Sequence, residues 1–308
     1  GINIQNSVLA GAENFWYNMK WEGQRMNGSD PIGHSITKKF RKDIWNPMIG
    51  AIRQYQLLRP GDRVAVCVSG GKDSMLLAKC FQLLQKYSDF PFEVVNLSMD
   101  PGYNAENRQR IADNADRLGL TLETFRTRIF DVVDAQGGSP CYLCARMRRG
   151  WLYRRAQELG CTKIALGHHM DDVIETTLMS MFYGAEIRTM LPKLHSAHYG
   201  GMALIRPLYL VREEAVRRWA RANGLEFIRC ACRISERNDR GEDASRRQAM
   251  KRLIAQLGAQ NANVPANIFH SMAHVNLDTV LGWRAGGESH TFLDAYDDWD
   301  ASQGGTDE

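Results

Sequence analysis

Six consecutive residues, Ser69-Gly70-Gly71-Lys72-Asp73-Ser74, combine two glycines, a cation, a carboxylate and two hydroxyls. The glycines permit a tight turn and let another group come close to the backbone. The free N–H groups and dipole of a helix starting there favour phosphate, so an anionic ligand is the natural occupant. A second string, Gly167-His168-His169-Met170-Asp171-Asp172, concentrates titratable groups where a strand meets a helix. Taken singly, Asp171 or Asp172 reads as a helix cap. Cys141-Tyr142-Leu143-Cys144 follows the loop signal Gly137-Gly138-Ser139-Pro140, and two cysteines three apart can present both sulfurs to one metal. Cys230-Ala231-Cys232 supplies two more thiols. Three thiolates with one open position suit an iron–sulfur cluster with a free iron, and four suit a closed zinc site; spacing alone does not choose. Arg146, Arg148, Arg149, Arg154 and Arg155 crowd the segment after the Cys pair. That pattern suits either a solvated helix face or, beside a reactive site, a nucleic-acid backbone, and Arg212, Arg217, Arg218 and Arg221 extend it.

These groups need elements to hold them. Val64–Val68 is an unbroken apolar run rich in β-branched residues, and an apolar-periodic segment follows the glycine turn directly, so strand, turn and helix start are expected. Strands are expected at Val64–Val68, Glu93–Met99, Thr121–Arg126, Lys163–Gly167, Ala203–Arg206 and Glu226–Ile228. Helices are expected at Met75–Leu84, Glu106–Leu118, Arg146–Leu159, Val173–Phe182 and Arg212–Asn223. This alternation predicts an α/β fold: a doubly wound, mostly parallel sheet with helices on both faces and the ligand at the carboxyl ends of the strands. Asp100, after the second strand, reads as a turn former. Cys67, Cys80 and Cys161 fall within or beside apolar elements and read as core.

The 308 residues, 44% hydrophobic and 24% charged, are ordinary globular values, and a formal charge of +4 permits a polyanionic partner without requiring one. No apolar run reaches membrane-spanning length, so a cytoplasmic location with no membrane partner is the expectation. Residues 1–60 read as a helical, basic and aromatic extension in which Ile36–Tyr55 turns aromatics inward and bases outward. Residues 61–232 read as the ligand-binding domain, 233–285 as a C-terminal helical segment and 286–308 as a loose acidic tail.

The loop is not a Walker A motif, because Val66 and Asp73 stand where that motif requires glycine and Ser or Thr. It resembles the Ser-Gly-Gly-x-Asp-Ser signature of the PP-loop ATP pyrophosphatases (adenine nucleotide alpha hydrolase-like fold), which cut ATP between its α and β phosphates. Gly167-His168-His169-x-Asp171-Asp172 resembles the second motif of that superfamily. The resemblance implies that Ser69, Gly70, Gly71, Lys72 and Ser74 cradle phosphates and that Asp73 helps hold Mg²⁺. It further implies that the backbone at Asn96 and Leu97 contacts adenine, and that Gly167, His168 and Asp172 lie beside the nucleotide.

Over roughly residues 40 to 280 the motifs Cys141-x-x-Cys144-Ala145-Arg146, Met181-Phe182-Tyr183-Gly184, Pro192-Lys193-Leu194, Arg206-Pro207-Leu208, Cys230 and Asn267–Met272 resemble, in order, those of tRNA 2-thiocytidine synthetases. That family's four-iron, four-sulfur ([4Fe-4S]) cluster falls on Cys141, Cys144 and Cys230. Cys232 departs from the family's Cys-x-x-Cys spacing and keeps zinc open as an alternative metal. His274–Asp278 also departs and points to a subgroup with another substrate. The implied activity is ATP-dependent tRNA thiolation by a sulfurtransferase. The carbonyl oxygen, O2 of a cytosine, attacks the α-phosphate of ATP, and a hydrosulfide on the non-cysteine iron then displaces AMP. The alternatives are a PP-loop ligase with structural zinc and a non-catalytic nucleotide- and RNA-binding module. The implied partners are tRNA and a sulfur donor such as a cysteine desulfurase or inorganic sulfide. Base rates for oligomers favour a two-fold dimer.

Overall fold

The computed structural model describes residues 30–130, 140–228 and 242–296. At its centre lies β1 (Arg63–Val68), buried from Val64 onward. It pairs in parallel with β2 (Glu93–Asp100) on one side and β4 (Lys163–Ala165) on the other. A strand paired on both edges and covered on both faces needs a continuous apolar run, and Val-Ala-Val-Cys-Val is one. β3 (Glu123–Arg126) adds to β2 and β6 (Ala203–Ile205) to β4, both parallel, while β5 (Lys193–His195) closes the edge antiparallel to β6. The order is β3-β2-β1-β4-β6-β5. The chain winds outward from β1 to β3 and then returns to the other side of β1 as β4. That reversal opens a crevice at the carboxyl ends of β1 and β4.

Side chains alternate across β1 and divide the core. Ala65 and Cys67 join Leu97, Ile164, Leu204, Tyr153 and Ala156 in one cluster, so α5 (Pro140–Glu158) covers that face, on β2 and β4. Val64, Val66 and Val68 are left for the opposite face, where α3 (Lys72–Tyr87) packs on β1 and β2 and against α1 (Pro31–Thr37), α4 (Ala105–Leu118) and α7 (Glu213–Ala222). Each fully buried valine contributes about 1.5–3 kcal/mol. Cys67, Cys80 and Cys161 are buried, as read. Between α1 and β1 come a π-helical turn, Arg41–Trp45, and α2 (Asn46–Gln54). Ile36, Phe40, Ile44, Trp45, Met48 and Ile52 point inward, and Lys38, Lys39, Arg41 and Lys42 are exposed. Trp16, Tyr17 and Trp21 lie outside the described residues.

Two expectations are corrected, and one strand was not foreseen. Glu226–Ile228 is not a strand. Asn114 Nδ2 donates to the Glu226 carbonyl at 2.7 Å, and Ile228 is buried against Gly70, so the segment is held by side chains in place of a ladder. The edge strand β5 had no clear apolar alternation to announce it. Residues after Gly286 are not uniformly loose: Gly286 and Gly287, at φ +61° and +91°, turn β7 (Gly282–Ala285) into β8 (Glu288–Thr291), with Trp283 stacked on His290. Paired positive φ values are what a two-residue hairpin turn requires.

Two compact units divide at Gln256, inside α8 (Glu242–Gln260). The first turns of α8 are tied to the sheet unit because Arg247 and Lys251 form ion pairs with Glu175, and Lys251 with Glu213. Residues 257–308 form the second unit, which holds α9 (Val264–Ser271) and the hairpin.

Candidate active site

The loop after β1 folds on its own hydroxyls. Ser74 Oγ accepts the Ser69 N–H at 3.1 Å, lies 3.1 Å from Ser69 Oγ and donates to the Gly71 carbonyl at 2.9 Å. Gly70 sits at φ +83°, and a Cβ there would come within 2.6 Å of Ile111 and 2.7 Å of Ile228. Gly70→Ala is therefore expected to cost about 1–3 kcal/mol and to lower Tm. Gly71→Ala, where φ is −79° and the nearest foreign atom is 3.6 Å away, is expected to leave Tm near that of the parent. Equal shifts in thermal melts would contradict this account. Gly167 is required for a different reason: a Cβ there would lie 2.9 Å from the Asp73 carbonyl carbon and 3.0 Å from the Ser74 nitrogen. The two motifs thus touch backbone to backbone.

Lys72 and Asp73 open α3. Lys72 Nζ lies 2.9 Å from Asp73 Oδ2 and 3.0 Å from Glu213 Oε1. Burial works against the ammonium, but these two carboxylates outweigh it and raise the Lys72 pKa above its ordinary value. Glu213 also pairs with Arg217 and Lys251. Burial opposes its charge too, yet Lys72, Lys251 and Arg217 together hold its carboxyl down at about 2. Asp73 Oδ1 is buried without a hydrogen-bond partner, with His169 Nε2 3.7 Å away. A buried carboxylate oxygen with no donor is an energetic deficit that a cation would remove, so this donor fits Mg²⁺.

The second motif begins α6 (Met170–Gly184) with a reciprocal cap. His169 N donates to Asp172 Oδ2 at 3.0 Å, and Asp172 N to His169 Nδ1 at 3.3 Å. Asp171 accepts the Glu213 N–H and pairs with Arg212, so it caps α7. Arg206 Nε donates to His168 Nδ1 at 3.3 Å, which leaves the His168 proton on Nε2. Burial first, with Arg206, His169 and Arg247 adding to it, presses the His168 pKa down to about 4 despite Asp172.

The unfolded chain takes up that proton near pH 6.5, whereas the native chain does not until about 4. The stability His168 contributes is therefore complete above pH 6.5 and is lost as pH falls towards 4, by up to about 3 kcal/mol. Urea unfolding at pH 7 and pH 5 should show a drop that His168→Asn flattens. An unchanged slope in the variant would refute the depressed pKa. Glu213 acts in the same direction at lower pH: its stabilisation is present above 4.5 and lost as pH falls towards 2.

A cavity of about 460 Å³ at the switch point gathers Ser69, Gly71, Asp73 and Ser74 from the first motif with Gly167, His168 and Asp172 from the second. From α5 it takes Arg148, Arg149, Leu152 and Tyr153. Its lining includes Cys67, whose thiol burial pushes up to about 12, so that sulfur is inert core. Gly70 is turned back into the packing and Lys72 towards α7. Asn96 and Leu97 lie in mid-strand, paired with β1, with Leu97 in the core, so the structure does not bring them to this cavity. Asp100 is the turn former expected, accepting the N–H groups of Gly102 and Tyr103 and pairing with Arg108.

The arginine run is sorted by helix face. Arg148 Nη2 donates to Tyr103 Oη, which donates to the Ser69 carbonyl, each at 3.4 Å. Arg154 lies over Trp151, and Arg155 is spent on Glu123 and Glu158. Cys141 and Cys144 fall within the first turns of α5. Cys144 is partly buried one turn before Arg148, while Cys230 and Cys232 lie outside the described residues. Among the described residues no group of three metal-ligating side chains is assembled. Glu213, Lys251, Arg247 and the buried Glu175 were missed from sequence. The only local sign was the acidic first turn of α7, an ordinary helix-start feature.

Residues 42–252 match the family model of the PP-loop domain. The chain is 37% identical over 228 residues to the tRNA-cytidine(32) 2-sulfurtransferase of Anaeromyxobacter sp. (strain K), covering 73% of this chain and 76% of that one. It is 34% identical over 241 residues to the protein of the same name from Geobacter metallireducens, covering 77% and 91%. Its fold is similar to that of the U34-tRNA thiolase NcsA from Methanococcus maripaludis, solved with its [4Fe-4S] cluster, at a TM-score of 0.57 and 19% identity over 79% of this chain and 84% of that one. With its loop, its second motif and these relatives, the chain belongs to the PP-loop family, among the tRNA-cytidine(32) 2-sulfurtransferases.

Proposed function

We propose that this chain is an ATP-dependent sulfurtransferase that thiolates tRNA at O2 of a cytidine, the cytidine at position 32 being the target that the relatives' names specify. The observation that carries the reading is one cavity bounded by the start of α3, an unpartnered Asp73 oxygen and the helix that begins with the Cys pair. An oxo group is a poor leaving group, and adenylation makes it a good one. The cytidine O2 lone pair forms a bond to the α-phosphorus of ATP, and the bond to the β-phosphate oxygen breaks with its electrons, releasing pyrophosphate. Sulfur then bonds to C2, the C2–O bond breaks to release AMP, and the sulfur proton passes to water.

This chain supplies alignment and charge. The N–H groups at the start of α3 face the phosphates, and Lys72 exchanges Glu213 for phosphate. Asp73 Oδ1 holds Mg²⁺. His168, neutral with its proton on Nε2, donates a hydrogen bond across the pH range where cytidine is unprotonated. Cys141, Cys144 and Cys230 would hold a [4Fe-4S] cluster, which would supply the sulfur for transfer. A sulfur donor, either a cysteine desulfurase or inorganic sulfide, replenishes it. Operation as a dimer in the cytoplasm accompanies this reading. The test is anaerobic purification with iron, sulfide and zinc analysis, followed by incubation with ATP, Mg²⁺, sulfide and unmodified tRNA and mass analysis of nucleosides. About four irons per chain and new 2-thiocytidine are expected. A colourless one-zinc protein that forms no thionucleoside would overturn the reading.

A further inference from the structure

A second cavity, of about 820 Å³, adjoins the first and shares Arg149, Tyr153, Leu166, His168 and Leu204 with it. Its size falls in the range of roughly 300–1,000 Å³ typical of sites for small organic ligands. The far wall is the turn between β5 and β6, residues 195–199, and the near wall is the α5 face that carries Arg146, Arg149 and Gly150. Three guanidinium groups, those of Arg146, Arg149 and Arg206, line it, and among the described residues no carboxylate does. Arg206 is buried and tied to His168 Nδ1 and the Leu191 carbonyl, so its charge cannot swing out to solvent. The wall is also aromatic and braced. Tyr153 and Tyr199 stack at 5.0 Å and 12°. Tyr199 Oη donates to the Gly150 carbonyl at 3.1 Å, which pins the turn to α5, and its N–H donates to Ser196 Oγ at 3.0 Å within the turn. The ligand that fits is flat, anionic and nucleotide-sized, and it must reach the wall shared with the ATP cavity. A small sulfur anion would need neither this volume nor stacked rings.

Resting on the thiolase reading above, we propose that this second cavity receives the target nucleotide of the RNA, unstacked from its loop, with the base against the Tyr153–Tyr199 pair and a flanking phosphate on Arg146. Single-stranded loop bases are read in this way, splayed out and stacked on aromatic side chains, and a guanidinium suits the phosphate. The reactive carbonyl then faces the shared wall at Arg149 and His168, next to the loop that holds ATP. Arg146 is exposed and lines only the second cavity, so its loss should weaken RNA and spare ATP.

The experiment uses the anaerobically purified holoprotein. A tRNA carrying 5-iodocytidine at position 32 is photo-crosslinked to the parent protein and the attachment is mapped by mass spectrometry, while RNA and ATP affinities are measured for Arg146→Gln over a salt series. Attachment within residues 146–153 or 194–206 is expected. Arg146→Gln should bind RNA about tenfold more weakly, with a salt slope lower by about one and ATP affinity unchanged. Attachment elsewhere on a protein that still thiolates tRNA would overturn the site and leave the thiolase reading standing, as would parental RNA affinity and salt slope in Arg146→Gln. A parent that neither binds nor thiolates tRNA removes both. If Arg146→Gln does not fold, the crosslink on the parent decides alone.

Discussion

Lys72→Ala is expected to reduce RNA-dependent pyrophosphate release by about 10²–10³-fold, the usual cost of removing one preorganised donor to a developing charge. The size of the effect follows from where Lys72 stands. Its ammonium is partly buried between Asp73 and Glu213, and partial burial strengthens electrostatics relative to water. The fold should survive the loss. Glu213 keeps Arg217 and Lys251 as partners, and Asp73, which loses its ion pair with Lys72, remains partly exposed to water. Normal pyrophosphate release by a folded Lys72→Ala protein would remove Lys72 from the site. Asp73→Asn tests the neighbouring role. It keeps the shape but gives up the anionic oxygen proposed for Mg²⁺, so raising Mg²⁺ should recover part of the lost rate in Asp73→Asn and none of it in Lys72→Ala.

The second large effect is expected at sulfur. Cys144→Ser and Cys230→Ala should each abolish 2-thiocytidine formation and the visible absorption of the anaerobic protein, while ATP affinity stays within about twofold. A three-thiolate cluster has no spare ligand. In the proposed mechanism adenylation and sulfur supply use different residues, so losing a thiolate should not disturb Lys72 or Asp73. Cys144 is partly buried near the start of α5, where serine is nearly isosteric, so the variant tests ligation more than packing. A cluster-free variant that still made 2-thiocytidine would sink the proposed sulfur route.

Much of the scaffold around the candidate site was legible because its signals are local. A β-branched run stopping at two glycines and a lysine can form few structures other than strand, turn and helix start, and β1, Gly70 at positive φ and α3 are those structures. The reading of Asp100 as a turn former and of Cys67, Cys80 and Cys161 as core rested on equally local patterns. Glu226–Ile228 misled for the converse reason. Three residues of mixed pattern carry no pairing information, and a side chain from α4 took the carbonyl a ladder would have used.

The sequence by itself determined the parallel α/β core, the glycine turn after β1, the string that opens α6 and the Cys-led basic helix, since each is written in residues within one turn or one strand of each other. Tertiary structure alone decided how those residues are spent. It set Glu213, distant in the chain, against Lys72, and left one Asp73 oxygen without a donor. It turned Asp171 into a cap for α7 and divided five clustered arginines among the switch-point cavity, a second cavity and surface contacts. A helix face is assigned by what packs on the opposite side of the helix, and a charge by the partner that folding brings within 3 to 4 Å. Both depend on contacts between residues tens to more than a hundred positions apart, for which a stretch of sequence carries no local sign.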